Sequence, residues 1–114
     1  MISSDVIRGY TDIMILCLLL NQESYGYEIS KQIKVISEGK YELKETTLYS
    51  AFTRLEKSNF IEFFHGGQTH GKRRTYYRIT WAGREYYREK CIEWKLTQEV
   101  VGKFIREENE DGGN

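Results

Sequence analysis

The stretch KETTLYSAFTRLEKSNFIEFFHGGQTHGKRRTYYRIT, residues 44–80, decides how this chain folds. In its first half Leu48, Ala51, Phe52 and Leu55 fall within about 60° of one another at 100° per residue. They mark the buried stripe of a helix that starts between Lys44 and Thr47. Opposite them lie Thr46, Ser50, Thr53 and Lys57, with Tyr49 on one flank and Thr47 and Arg54 on the other. Solvated helix faces usually mix Glu with Lys, but this one holds short hydroxyls, one ammonium and no carboxylate. Glu56 falls on the Tyr49 flank, away from the centre. The second half is a hairpin. Phe60 to Phe64 is one strand and Thr75 to Ile79 the other, and residues 65–74, with three glycines and no apolar side chain, read as a mobile tip. From Phe63 to Gly83 there is no Asp or Glu, while Lys72, Arg73, Arg74 and Arg78 give a local charge of +4.

Upstream, Ile13 to Leu20 is an unbroken apolar run of eight residues, rich in Leu and Met, which favours a helix with several buried faces over a β-branched strand. Thr11 or Asp12 is its expected cap, and residues 1–9 form a short leader that extends it. Asn21 to Ser24 ends it, and Ser24 is the expected N-cap of a second helix. That helix buries Ile29, Ile33 and Ile36 at i, i+4, i+7 and closes with Gly39 at C′.

Downstream, Thr80 caps a helix expected to run from Trp81 to about Glu108, roughly 40 Å. Tyr87, Cys91, Trp94, Gln98, Val101 and Ile105 recur at spacings of 4, 3, 4, 3, 4, a heptad seam with one polar insertion. A second stripe, Ile92, Leu96, Val100 and Phe104, follows another side of the helix. One face packs on the chain's own domain and the other needs a partner; a helix lying in a groove that covers both stripes is the plainer alternative. The division expected is a winged-helix domain over 1–80, a dimerisation helix over 81–108 and a flexible tail over 109–114.

Composition bounds the function. The 114 residues carry 17 Lys plus Arg against 17 Asp plus Glu, a net charge of zero, which argues against a nonspecific basic coat. The basic wing is offset by residues 84–114, where eight acids face six bases. Neutrality is thus a cancellation between regions. Hydrophobic residues at 39% and charged residues at 30% suit a globular chain. The longest apolar run is far below the roughly 20 residues that span a bilayer, and no basic leader with a cleavage site precedes it. A cytoplasmic location is expected. Cys17 and Cys91 read as buried thiols in apolar patterns. With His65 and His70 they have no metal-ligand spacing, so no metal or cofactor is expected. No nucleophile, base and acid share a motif, and the tip glycines lack the GxxxxGK[ST] context of a phosphate loop. The chain does not read as an enzyme.

Three helices, a two-stranded hairpin and a further helix make a mainly α fold with a small β-hairpin. That order describes a winged helix-turn-helix with a long C-terminal dimerisation helix. In such a domain the third helix enters the major groove, and the hairpin follows the backbone or enters the minor groove. Hydroxyls that do not repel the polyanion, and a basic wing that releases counterions, suit those tasks.

At this point the chain resembles the PadR-like transcriptional regulators, of the subgroup with one short C-terminal helix. The resemblance rests on Tyr25-Gly26-Tyr27-Glu28-Ile29, on Thr47-Leu48-Tyr49 with Arg54-Leu55-Glu56, and on Arg74-Thr75-Tyr76-Tyr77-Arg78-Ile79-Thr80 followed by Gly83. Where that family commonly has Pro after the Leu-Tyr pair this chain has Ser50. Where it has a turn glycine before the wing this chain has Asn59, the residue next most tolerant of positive φ. The resemblance implies a homodimer, binding of double-stranded DNA at an inverted repeat through the third helix and wing, and usually repression. In some members it also implies a small aromatic effector near the dimer interface.

The residues expected to contact DNA are Thr46, Thr47, Tyr49, Ser50 and Thr53 on the helix and Lys72, Arg73 and Arg74 on the wing. Tyr49 fits a phosphate contact or packing against the wing or the first helix equally well. Arg54 ranks lower, because with Glu56 it suits an internal ion-pair network. Tyr27 and Lys31 fit backbone contacts, and Tyr27 also fits the core. Tyr87, Cys91, Trp94, Gln98, Val101 and Ile105 are the expected dimer interface, and Trp94 with Gln98 the expected effector pocket. The competing function is a winged-helix protein-interaction module with weak or no DNA binding.

Overall fold

In a computed structural model, Leu48, Ala51, Phe52 and Leu55 are all buried on one face of the helix Glu45–Lys57. The structure describes residues 2–69 and 72–106, with side chains other than those at 67–69, 72 and 73. Elements follow in the order α1 (Ser4–Ile7), a 3₁₀ turn (Arg8–Tyr10), α2 (Thr11–Leu19), α3 (Gly26–Ile36), α4 (Glu45–Lys57), β1 (Ile61–Thr69), β2 (Lys72–Ile79) and α5 (Trp81–Gly102). The fold class is the expected one, mainly helical with a two-stranded antiparallel hairpin and a long C-terminal helix. Among the described residues, no helix is long and apolar enough to cross a membrane.

One core unites the helices with the base of the wing. Ile15, Leu16 and Leu19 of α2 meet Ile29 and Ile33 of α3, the α4 stripe, and Ile61 and Tyr77 of the hairpin. Phe52 stacks on Tyr77 at 3.9 Å between ring centroids, which carries the core from α4 into β2. Ile36 departs from the expected stripe and is 65% exposed on the last turn of α3. Tyr41 and Leu43, from the connection to α4, fill the core instead.

Both helices that lead to the wing end in paired backbone hydrogen bonds around a left-handed residue. At α4, Asn59 has φ 63°, its N–H donates to Glu56 O at 2.9 Å, and Phe60 N–H donates to Leu55 O at 2.9 Å. Asn59 therefore takes the positive φ its turn position led us to expect. At α3 the cap lies one residue earlier than the sequence suggests. Glu38 (φ 56°) is C′ and donates to Val35 O, and Gly39 (φ 76°) follows, donating to Lys34 O at 2.8 Å.

The N-termini depart further from expectation. Neither Thr11 nor Asp12 caps α2, whose N-cap is Tyr10 with no side-chain bond. Ser24 does not cap α3 either, since Tyr25 holds that position. Ser24 is drawn into the sheet: its N–H donates to Tyr77 O at 3.1 Å and its C=O accepts from Tyr77 N–H at 2.8 Å. A long-range backbone bridge has overridden a local capping preference. Thr80 does cap α5, accepting from Gly83 N–H at 3.0 Å while its hydroxyl donates to Asn59 O at 2.7 Å. Arg84 donates to Leu20 O at 2.8 Å, placing a cation at the C-terminal end of α2.

The hairpin is longer than expected. Its ladder pairs Ile61 with Ile79, Phe63 with Tyr77 and Phe64 with Tyr76, then shifts register between His65 and Gln68 and resumes to Thr69 and Lys72. Most of the supposed tip is therefore strand, because a bulge at the glycines lets pairing continue. Conversely, α5 ends at Gly102 rather than near Glu108, so its 22 residues extend about 33 Å. Ile105 lies past the helix, and residues 107–114, including the expected tail, lie outside the described residues.

Candidate nucleic-acid interface

The face of α4 opposite the core is open. Thr46, Thr47, Ser50, Thr53 and Lys57 are all exposed there, as expected. The Thr53 hydroxyl donates to Tyr49 O at 3.0 Å within the helix, which leaves its oxygen free to accept. Arg54 is tied down: it pairs across the α2–α4 junction with Asp12, a partner the sequence did not single out. Thr46, Thr47, Ser50 and Arg54 line one wall of an open cleft of about 710 Å³. Its other wall includes Ile7, Arg8 and Gly9 of the leader, held near α4 by Ile2 N–H donating to Lys40 O at 3.2 Å.

Tyr49 packs within α4 and against the start of α3. Its ring packs edge-on against Phe52 at 5.6 Å, and a Cβ on Gly26 would lie 2.8 Å from its hydroxyl, so glycine lets this ring seat on the start of α3. It is still 47% exposed. Beside it Tyr27 is 73% exposed, which removes it from the core. Tyr27, Tyr49, Gly26 and Arg74 share a concavity of about 300 Å³ between the first turn of α3 and the wing. Tyr77 forms its floor. Burial, then the nearby charge of Glu56 and the Tyr49 phenol, raise its pKa above the ordinary value, so it stays neutral.

Of the wing cations, Arg74 reaches this concavity with its guanidinium 4.0 Å over the Tyr25 ring. Lys72 and Arg73 lie on β2, but their side chains fall outside the described residues. Arg78 does not contribute free charge. It pairs with Glu62 at 2.8 Å and with Glu23 at 3.5 Å, acids that lie before the acid-free stretch and are folded back onto it. The sequence excess of +4 is thus partly cancelled in space. Tyr25 and Gly26 also line this concavity, though neither is among the residues expected to contact DNA. A glycine between two tyrosines at a helix start is the signal of a close approach that marks them.

On the opposite side, α5 divides its apolar residues between the domain and solvent. Tyr86 stacks on Phe60 at 4.2 Å and Trp94 meets Tyr10 edge-on at 4.9 Å. Hydrogen bonding with Cys91, then with Cys17, then burial push the Tyr87 phenol pKa up. Tyr87 and Trp94 of the seam therefore already contact their own chain, whereas Ile92, Leu96 and Val100 are exposed on the other face. The cysteines are not buried as expected: Cys17 is exposed and Cys91 half-buried. In a run apolar on every side, one face must point outward when the helix packs on a single core, and Cys17 is on it. Trp94 lines a cleft of about 370 Å³ with Tyr10, Ile13, Lys90 and Thr97; Gln98, expected beside it, is not among the lining residues.

A buried three-helix core, a wing hydrogen-bonded to it through Ser24, and an open carboxylate-free helix face define a winged helix-turn-helix protein. The model of the transcriptional regulator PadR-like family matches residues 15–89, and the chain belongs to that family. It is 43% identical over 105 residues to an uncharacterised protein of Lysinibacillus sphaericus, covering 92% of this chain and 96% of that one. The structure of a transcriptional regulator from Clostridium thermocellum is 56% identical, with a TM-score of 0.85, over 90% of this chain and all of that one. Bacillus subtilis PadR in complex with operator DNA shares the fold at 21% identity and a TM-score of 0.67, over 85% of this chain and 60% of that one. As a member of this family the chain is a transcriptional regulator, not an enzyme.

Proposed function

We propose that the protein binds double-stranded DNA as a homodimer at an inverted-repeat operator, acting as a repressor. The observation that carries this reading is the carboxylate-free outer face of α4, with Thr46, Ser50, Thr53 and Lys57 exposed. Tyr49 joins that face to the concavity that Arg74 enters. Hydroxyls and cations without opposing acids are what a groove and its phosphates accept. The Bacillus subtilis relative of the same fold, crystallised on operator DNA, supports it. Ile92, Leu96 and Val100, exposed on the α5 face turned from the domain, are the surface for a second copy. Two recognition helices then stand about 34 Å apart, one DNA turn.

Selection from a random duplex pool, followed by salt titration, tests the reading. An inverted repeat with half-sites one turn apart is expected. Replacing Lys72, Arg73 and Arg74 together by alanine is expected to weaken specific and random DNA alike and to lower the salt slope by roughly 3 per subunit. No selected sequence and no binding at low salt would point instead to a protein-interaction module. A monomer by sedimentation at micromolar concentration would remove the half-site spacing.

The Trp94–Tyr10 cleft is the place for an effector. At about 370 Å³, with two aromatic rings meeting at its edge, it suits one small planar aromatic molecule. In a Trp81→Phe background, planar aromatics are expected to quench Trp94 fluorescence. An unchanged signal across a panel of such compounds counts against the effector.

A further inference from the structure

We infer that Tyr25 is the positioning residue that aims Arg74 of the wing at the DNA backbone, an inference that rests on the DNA-binding reading above. Three aromatic rings form a column along the outer face of the hairpin. Tyr25 meets Tyr76 edge-on at 5.4 Å, and Tyr76 stacks on Phe64 at 5.6 Å. An arginine closes each end, Arg74 over Tyr25 at 4.0 Å and Arg78 over Phe64 at 4.5 Å. Gly66 permits the column, since a Cβ there would lie 2.3 Å from the Tyr76 ring.

The two ends differ in charge balance. Arg78 is held by Glu62 and Glu23, so its charge is answered within the protein. Arg74 makes no ion pair among the described residues, and its end of the column opens on the concavity with Tyr27 and Tyr49. One arginine anchors the column and the other is presented by it.

Tyr25 is suited to this because it belongs to both parts of the domain. It is the N-cap of α3, and the preceding Ser24 is hydrogen-bonded to Tyr77 of β2 through both its N–H and its C=O. The ring is therefore fixed relative to the helices and to the wing together. A guanidinium stacked on it loses less freedom when it takes a phosphate, because its plane is already set. A lysine keeps the charge but not the planar stack. The column needs only the ring of Tyr25.

A double-mutant cycle on the selected duplex tests this. Tyr25→Leu is expected to weaken binding about five- to thirtyfold, the scale of two exposed cation–π contacts, one in each subunit of the dimer. Arg74→Lys is expected to do the same. In the Tyr25→Leu background, Arg74→Lys should cost less than about twofold, because the stack is already gone. Tyr25→Phe should restore parent affinity within about twofold. Additive losses, or an Arg74→Lys protein that binds like the parent, overturn the inference while leaving the DNA-binding reading intact. Should Tyr25→Leu fail to fold, Tyr25→Thr takes its place in the same cycle and the same outcomes decide. If the parent protein binds no duplex at low salt, the functional reading falls first and this inference with it.

Discussion

Ser50→Glu is expected to weaken operator binding by at least about 100-fold, because like charges brought together in a desolvated interface cost several kcal/mol. Ser50 stands near the centre of the exposed α4 face, in the cleft wall with Thr46 and Thr47. A carboxylate there points at the polyanion, and Arg54, the cation one turn along the helix, is already paired with Asp12. A dimer carries the substitution twice. The fold is expected to survive, because Ser50 is exposed and Glu is the better helix former. Ser50→Ala separates repulsion from a lost hydrogen bond and is expected to cost no more than about tenfold. Affinity is read by anisotropy on the selected duplex at fixed salt, with the thermal midpoint as control. Parent affinity in the Glu variant removes α4 from the interface.

The largest effect on stability is expected at Gly83. A Cβ there would lie 2.1 Å from Phe60 O and 2.8 Å from the Ile79 side chain. The first of these is backbone, which cannot swing aside as a long side chain does. Phe60 O also accepts from Thr80 N–H at 3.0 Å, so a displaced carbonyl loosens the turn that leads into α5. Gly83→Ala is expected to cost about 3 kcal/mol, the upper range for overpacking, against a gain of under about 1 kcal/mol in helix propensity. The thermal midpoint should fall by on the order of 10 °C, measured at one protein concentration because a dimer's midpoint depends on it. A midpoint within about 2 °C of the parent shows that α5 docks less closely than this contact requires.

Much of the domain was legible in residue spacing. The α4 stripe, the Thr80 cap and the left-handed Asn59 follow from rules that act within about four residues, and the structure follows them. Where local rules failed, a contact distant in sequence had prevailed. Ser24 has the chemistry of a cap but lies in the bridge to Tyr77, 53 positions on. The hairpin tip reads as loop by its glycines, yet its backbone pairs through a bulge. For the candidate interface, residue type and periodicity pointed to the outward face of α4. They were silent on Tyr25, whose part depends on Arg74 being folded back over its ring.

By itself the sequence determined the family, the element types and which face of α4 is polar, because each is set by residue identity and short-range periodicity. Only the tertiary structure decided how charge and aromatic surface are shared out. Arg78 and Arg74 look alike in an acid-free stretch, but Glu62 and Glu23 meet the first and a tyrosine ring the second. Two apolar stripes on α5 look equally in need of cover, but Trp94 of the first meets Tyr10 while Ile92, Leu96 and Val100 of the second stay exposed. Electrostatic and packing energies depend on separation in space. A linear order carries that separation only as far as one helical turn or one strand pair extends.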